Sequence, residues 1–280
     1  MRLQLASDLH LERDPGFVLA PAPGADTLVL AGDVGSYQAG SLLGGDDFGL
    51  ARFSPRQPGA PWRRVLYVPG NHEYDGGEFG PRHARLRALC DELGITWLER
   101  AVVRIDGVRF IGTTLWTDFD ALAAREKTAT QQLKARDKAF RAANFYLRRF
   151  TALQGGEPML AEQWREQALA CQAWLRTALA EPYPAGPTVV VTHHAPSLRS
   201  ADPRYGLVPG TAGFCNAIDD CLDHADLWLH GHLHCAVDYR AGAGNRCRVV
   251  ANPLGYAAKG ERAGFRPGLV IDVPAGAGAA

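Results

Sequence analysis

The stretch Arg2-Leu3-Gln4-Leu5-Ala6-Ser7-Asp8-Leu9-His10 decides the fold, because an apolar β-strand runs directly into an Asp-x-His pair. Four later segments repeat this arrangement, each a short apolar run that ends in metal-binding types of side chain. They are Gly32-Asp33, Gly70-Asn71-His72-Glu73, Thr192-His193-His194 and Gly231-His232-Leu233-His234. A carboxylate and an imidazole at positions i and i+2 project to the same side of an extended chain. The five ordered blocks therefore predict a metal site built at strand ends.

Composition excludes some classes of protein. The 280 residues carry 30 basic and 30 acidic side chains, which is unlike the strong positive field of a dedicated nucleic-acid binder. That balance still allows a small phosphorylated substrate. The strand at Arg2–Ala6 leaves no room for a cleavable signal peptide, and no apolar run reaches membrane-spanning length. The six cysteines form no C-x-x-C pair and look like reduced thiols, so we expect a cytoplasmic protein without a membrane partner.

Strand-like and helical runs alternate along the chain, which indicates an α/β layered domain with mixed sheets over residues 1–273. Asp106-Gly107 predicts a type I′ hairpin, and the leucine spacing before Gly94 predicts a helix over His83–Leu93. The predicted strands are Arg2–Ala6, Thr27–Ala31, Val65–Val68, Val108–Gly112, Thr188–Thr192, Ala225–Leu229, Arg248–Ala251 and Leu269–Val273. The Gly/Ala-rich tail, 274–280, is predicted to be disordered.

The segment from about 118 to 180 has helical periodicity and predicts a helical hairpin inserted between two core strands. One apolar stripe comprises Leu160, Trp164, Ala168, Cys171, Leu175 and Leu179; an earlier one comprises Leu133, Phe140, Leu147 and Phe150. The segment from Asp120 to Phe150 contains eight basic and three acidic residues, which gives it a local charge of +5 (8 − 3). We interpret this charge as a solvated helix face. The alternative is a cap that attracts an anionic substrate.

The candidate ligands supply oxygen and imidazole donors, a mixture that suits Mn, Fe, Zn, Co or Ni better than Ca or Mg. These ligands are Asp8, His10, Asp33, Asn71, His193, His232 and His234. Two divalent ions balanced by two carboxylates keep a charge of about +2, which favours a phosphate oxyanion. Such ions lower the pKa of bound water to about 7, so hydroxide is available for attack at neutral pH. The pattern predicts a binuclear hydrolytic site.

These blocks resemble the motifs of the calcineurin-like metallophosphoesterase superfamily, D-x-H, G-D, G-N-H-[DE], a later His and G-H-x-H, all intact between Asp8 and His234. The resemblance implies a four-layer α-β-β-α sandwich of two mixed sheets. It assigns Asp8, His10 and His234 to one metal. It assigns Asn71, His193 and His232 to the other, with Asp33 bridging the two.

The same resemblance implies roles toward the substrate. His72 would orient or protonate the leaving group, and Glu73 would position it, although a loop carboxylate is an equally good interpretation of Glu73. Asn71, His72 and His194 would contact the substrate. The implied function is hydrolysis of a small phosphomonoester or phosphodiester. A nuclease or cyclic-nucleotide phosphodiesterase of the same superfamily is the alternative, with a metal-free scaffold less favoured because no ligand is missing. The oligomeric state cannot be read from the sequence.

Overall fold

A computed structural model describes residues 1–273, and the tail predicted to be disordered lies outside the described residues. The strands in chain order are β1 (Arg2–Ala6), β2 (Thr27–Ala31), β3 (Arg64–Val68), β4 (Thr96–Trp97), β5 (Ala101–Ile105), β6 (Val108–Thr113), β7 (Leu153–Gln154), β8 (Glu157–Pro158), β9 (Thr188–Thr192), β10 (Leu227–His230), β11 (Val237–Ala241), β12 (Cys247–Ala251) and β13 (Val270–Asp272). The α-helices are α1 (Phe79–Leu93), α2 (Ala129–Leu147) and α3 (Ala161–Ala180).

Two large mixed sheets form the centre of the molecule. The first has the order β13-β1-β2-β3-β4, parallel except for β13 at its edge. The second has the order β11-β12-β10-β9-β6-β5, with parallel inner strands and antiparallel β11 and β5 at the edges. Strands β2 and β9 are buried along their whole length, which explains their continuous apolar sequences.

Helices cover both outer faces of the paired sheets, so the predicted four-layer sandwich is confirmed. Apolar side chains from both sheets, such as Val29 of β2 and Phe110 of β6, meet in one buried cluster between them. Leu86 of α1 packs with β2 and β3 on the outer face of the first sheet. Leu175 of α3 packs with β9, β10 and β12 on the outer face of the second sheet.

Several element boundaries differ from prediction for local reasons. Helix α1 begins at Phe79 rather than His83, because Pro81 lies in the first turn, where its missing N–H is not needed. The helix ends at Gly94, which has a left-handed φ of 72°, as expected. The predicted hairpin is confirmed, with φ values of 48° at Asp106 and 76° at Gly107. Strand β11 was missed because it is short, alternating and half-exposed.

The predicted insertion between β6 and β9 contains α2 and α3, joined by the β7–β8 ribbon that turns at Gly155-Gly156. The predicted stripe of α3 is buried as expected. The stripe predicted for α2 was partly wrong: Leu133 is 59% exposed and Phe150 is 44% exposed. The small side chains of Ala139 and Ala143 face the core instead, so the buried face of α2 is rotated away from Leu133. In the part of the chain that the structure describes, no helix is both long and apolar enough to cross a membrane.

Candidate metal centre

The carboxyl ends of the inner strands of both sheets lie at the same end of the sandwich. The loops that follow these strands bring all seven predicted ligands together. Asp8 and His10 follow β1, Asp33 follows β2 and Asn71 follows β3. His193 follows β9, and the pair His232 and His234 follows β10. Three groups have ligand atoms all within 4.8 Å of one another: Asp8, His10 and His234; Asp33, His193 and His232; and His10, Asp33 and His72.

The first ligand cluster, which consists of Asp8, His10 and His234, crosses from one sheet to the other. The Nε2 atoms of His10 and His234 are 2.9 Å apart, a separation that requires a proton or a cation between them. The Asp8 carboxylate lies 3.4 Å from His234 Nε2 and also accepts the backbone N–H of His232. Although burial opposes protonation, Asp8 and Glu261 raise the pKa of His234 to about 9. The cluster is therefore arranged around a positive charge.

The second ligand cluster consists of Asp33, His193 and His232, with Asn71 beside it. Asn71 Oδ1 lies 3.1 Å from His193 Nε2. Burial opposes charge on His193, but Asp33 raises the pKa of its imidazole to about 9. Burial, followed by the neighbouring His194, lowers the pKa of His232 well below its usual value. Two oxygen donors, from Asp33 and Asn71, thus lie beside the imidazoles of His193 and His232.

Asp33 lies between the two clusters. Its Oδ2 atom is 3.3 Å from His193 Nε2 and 4.0 Å from His10 Nε2. This oxygen is buried, and no group of residues 1–273 makes a hydrogen bond to it. Burial would raise the pKa of Asp33, but the charges of His193 and His72 hold it well below its usual range. A buried, ionised oxygen that lies beside His193 but accepts no hydrogen bond is costly, so its placement fits a cation at this point.

The backbone at the ligands corrects the expected geometry of the Asp-x-His pair. The chain is not extended there: φ is 54° at Asp8 and 47° at His10. Asp33, His232 and His234 are also left-handed, with φ values of 54°, 73° and 50°. Such conformations cost free energy in residues other than glycine and concentrate at functional sites. Tight turns, rather than β-strand alternation, aim these side chains at one point.

Two glycines make room for the carboxylates. A Cβ atom on Gly70 would lie 2.2 Å from Asp33 Oδ1, and one on Gly231 would lie 2.5 Å from Asp8 Oδ2. Real Cβ atoms do not approach other atoms so closely, hence only glycine fits either position. The glycines of the sequence blocks are therefore explained by close approach to the ligands.

Three acceptors hold the imidazoles by their Nδ1 atoms. Glu12 Oε1 is 3.1 Å from His10 Nδ1, and Glu261 Oε2 is 2.5 Å from His234 Nδ1. The Ala31 carbonyl is 2.8 Å from His193 Nδ1. Each contact turns Nε2 toward the cluster, the usual arrangement of metal-binding histidines. The roles of two of these acceptors were not predicted from the sequence. Glu12 lies only two residues after His10, whereas Glu261 lies far from His234 in the chain and no local pattern connects them.

His72 lies at the open side of the clusters, and its side chain is 21% exposed. Its backbone N–H donates to Asp33 Oδ1 at 2.8 Å, and its Nδ1 is 2.5 Å from Asp75 Oδ2. Burial would lower the pKa of His72, but Asp75 and Asp33 raise it to about 10. His72 is thus held as a charged donor next to Asp33.

Glu73 differs from the sequence-based expectation, because Asp75, and not Glu73, positions His72. The Glu73 carboxylate is fully buried and accepts the backbone N–H groups of Val34 at 2.7 Å, Gly70 at 2.9 Å and Asp33 at 3.2 Å. Burial and the nearby Asp33 raise its pKa to about 8. Glu73 joins the loops after β2 and β3, which corresponds to the structural interpretation left open above.

His194, expected to contact the substrate, is 3% exposed and packs between other rings. Its Nδ1 lies 3.3 Å from the Thr114 carbonyl, which can only accept, so Nδ1 carries the hydrogen. Burial and the charge of His193 lower its pKa to about 3, which keeps the ring neutral. Its ring centroid is 4.1 Å from that of His232, so His194 supports this ligand directly.

Paired mixed sheets with His and Asp side chains clustered where their strands end form a site that could hold metal ions for hydrolysis. The family model of calcineurin-like phosphoesterases matches residues 1–236, so the chain belongs to this family of phosphate-ester hydrolases, and the resemblance seen in the motifs is confirmed. An uncharacterized protein of Acanthamoeba polyphaga mimivirus is 24% identical over 224 residues, covering 75% of this chain and 74% of that protein.

A solved structure shares the fold. The phosphopantetheinyl hydrolase PptH from Mycobacterium tuberculosis aligns with a TM-score of 0.66 and 21% sequence identity, covering 93% of this chain and 92% of that one. At this level of identity the likeness concerns the fold.

Proposed function

We propose that the protein is a binuclear metal-dependent phosphoesterase that hydrolyses a small phosphomonoester or phosphodiester. The observation that carries the proposal is the buried Asp33 Oδ2, which has no hydrogen-bond partner in residues 1–273 and lies between two clusters of ligand atoms. Asp8, His10 and His234 would hold one ion; Asn71, His193 and His232 would hold the other, with Asp33 shared. When bound, divalent ions of the Mn, Fe, Zn, Co or Ni type would neutralise phosphate charge and make hydroxide available at neutral pH.

The residues around the clusters would bind the substrate and move its proton. Asn71 and His72 are partly exposed beside the clusters, where the phosphate oxygens would be received. His72, held at Nδ1 by Asp75, is placed to donate a proton from Nε2 to the departing alkoxide oxygen. Glu12 and Glu261 would keep the ligand imidazoles in one tautomer. His194 would act through His232 and not by touching the substrate.

The test combines metal analysis with a substrate screen. Purified protein is reconstituted with Mn, Fe, Zn, Co or Ni, and the bound ions are counted by mass spectrometry. Each form is then offered nitrophenyl mono- and diesters, cyclic nucleotides and single-stranded DNA. A phosphopantetheinyl ester belongs in the screen because the fold neighbour is a phosphopantetheinyl hydrolase. Two ions per chain with turnover of a small ester is the expected result.

Other outcomes would separate the alternatives. Failure to bind any ion would favour the metal-free scaffold, and preferential cleavage of DNA would favour the nuclease. The cytoplasmic location remains a prediction, supported by the six free thiols in residues 1–273.

A further inference from the structure

An exposed phenyl ring stands beside the second ligand cluster. The Phe214 ring centroid is 4.9 Å from that of His232, with the planes tilted by 31°. Phe214 is nevertheless 43% exposed. Exposed apolar side chains that cluster beside a site, unlike single scattered ones, mark ligand-binding surfaces, so this ring and its neighbours on the same loop are candidate contacts for a ligand.

Phe214 is the exposed end of a row of packed rings. Trp164 of α3 stacks on Trp116 at 3.9 Å, Trp116 lies 5.4 Å from His194, and His194 lies 4.1 Å from His232. Trp164, Trp116 and His194 are each no more than 5% exposed. The row runs from the insertion to the mouth of the site and gives the Phe214 ring a firm base.

The loop that carries Phe214 exposes further apolar side chains and is tied to the ligand segment. Leu207 is 45% exposed and Val208 is 47% exposed. Ser200 Oγ lies 2.9 Å from His230 Nε2 at one end of this loop, and the Gly213 carbonyl lies 3.4 Å from His232 Nε2 at the other. The apolar side chains therefore belong to a loop whose two ends contact the segment from His230 to His232, which carries one candidate ligand.

The opposite side of the site has a different character. Tyr256 stacks on His10 with ring centroids 4.2 Å apart, and Lys259 Nζ lies 4.6 Å from the Tyr256 ring centroid. Beside the first cluster the neighbours are thus polar and cationic. On the His232 side, by contrast, the exposed neighbour is the apolar ring of Phe214.

We propose that Phe214, on the loop with Leu207 and Val208, binds an apolar or aromatic part of the substrate and makes the enzyme select phosphate esters of apolar alcohols. This inference rests on the proposed phosphoesterase function. The phosphate would be held at the ligand clusters, and the organic group would cover the Phe214 ring. Phe214 is then a specificity-determining residue that touches the substrate without taking part in bond breaking.

The experiment compares two primary alkyl esters that differ in apolar area, 3-phenylpropyl phosphate and methyl phosphate, with the metal-loaded full chain. Phe214→Ala should raise KM for the phenylpropyl ester about tenfold and change that for the methyl ester less than about twofold, because one phenyl contact is lost. Phe214→Leu keeps an apolar side chain and should restore part of the preference. Phe145→Ala is the matched control, because Phe145 is 69% exposed on α2 and its ring packs on Tyr146.

A binding measurement separates this inference from the proposed function. Calorimetry with 3-phenylpropylphosphonate and methylphosphonate requires no turnover, and Phe214→Ala should weaken only the former, by about tenfold. Equal losses for both ligands would assign Phe214 to the support of His232 and overturn the inference, as would no change in either. If the wild-type enzyme hydrolyses no ester, the proposed function fails, while phosphonate binding still decides the role of Phe214.

Discussion

Contacts with two carboxylates position the His72 imidazole, and these contacts could not be predicted from the sequence blocks. Asp75 holds its Nδ1 atom and Asp33 accepts its backbone N–H, so the ring is oriented from two sides. The clustering of the candidate ligands was predictable because each stands in a short block after a strand. Glu12, Asp75 and Glu261 were not, because a carboxylate that supports a histidine can come from anywhere in the chain. Such contacts are set by tertiary packing.

Asp75→Asn tests this support of His72. Without the Asp75 charge, the pKa of His72 falls and its ring loses the carboxylate acceptor at Nδ1. We therefore expect fewer molecules to hold a correctly oriented proton, so that kcat for alkyl esters falls about 10- to 100-fold. Nitrophenyl esters, whose leaving groups need no proton, should change little. The measurement is kcat across a series of leaving-group pKa values, with the exposed Asp137→Asn on α2 as the matched control. Equal slowing along the whole series would remove His72 from the acid role.

Asp33→Asn tests the shared ligand. The substitution keeps the shape of the side chain and an oxygen that can accept the His72 N–H, but it removes the charge. Because altering even an indirect metal contact costs 10- to 100-fold, we expect metal affinity and activity to fall by at least about 100-fold. Metal content by mass spectrometry and circular dichroism together provide the readout. A folded variant that retains two ions and full turnover would contradict the shared position of Asp33.

At the level of secondary structure, the ends of the strands position the candidate metal ligands. The apolar runs predicted most strands within one or two residues, since strands buried on both faces have continuous apolar sequences. The left-handed turns that follow them could not be predicted, because Asp and His, although enriched at positive φ, adopt it in only a small fraction of cases. The exposed side of α2 was misjudged for a related reason: alanines carry little hydrophobic signal, yet Ala139 faces the core.

Gly231→Ala tests the turn after β10. The new methyl group would collide with the Asp8 carboxylate and Ser7, so we expect the free energy of unfolding to fall by about 1–3 kcal/mol and metal affinity to drop. Chemical denaturation and metal titration measure the two effects. Gly80→Ala in α1 is the matched control: a Cβ there meets no atom within 4 Å, and the helix should gain up to about 1 kcal/mol. Equal stability of the two variants would show that the Asp8 turn tolerates a side chain.

Although the whole chain has no net charge, the segment 120–150 is locally positive. Within the basic segment 120–150, Arg136 pairs with Asp120 and Arg141 pairs with Asp137. Lys134 and Lys138 of α2 are exposed, whereas Ala139 of the same helix is buried. The packing of Ala139 and Trp164 in one cluster with β2 and β3 side chains supports a single domain over residues 1–273, which remains a prediction. It also means that deleting the segment would expose core.

Neutralising charges is therefore a cleaner test of the insertion than removing it. The exposed basic side chains changed to Gln are Lys134, Lys138, Arg148 and Arg149. If this is a solvated face, KM for an anionic ester at physiological salt should change by less than about twofold, because charges farther than about 8 Å apart are screened. The control exchanges Lys and Arg at the same four positions and so keeps the charge. A rise in KM that appears only in the Gln variant and fades with added salt would instead make α2 an electrostatic cap, since only a long-range field depends on both charge and ionic strength.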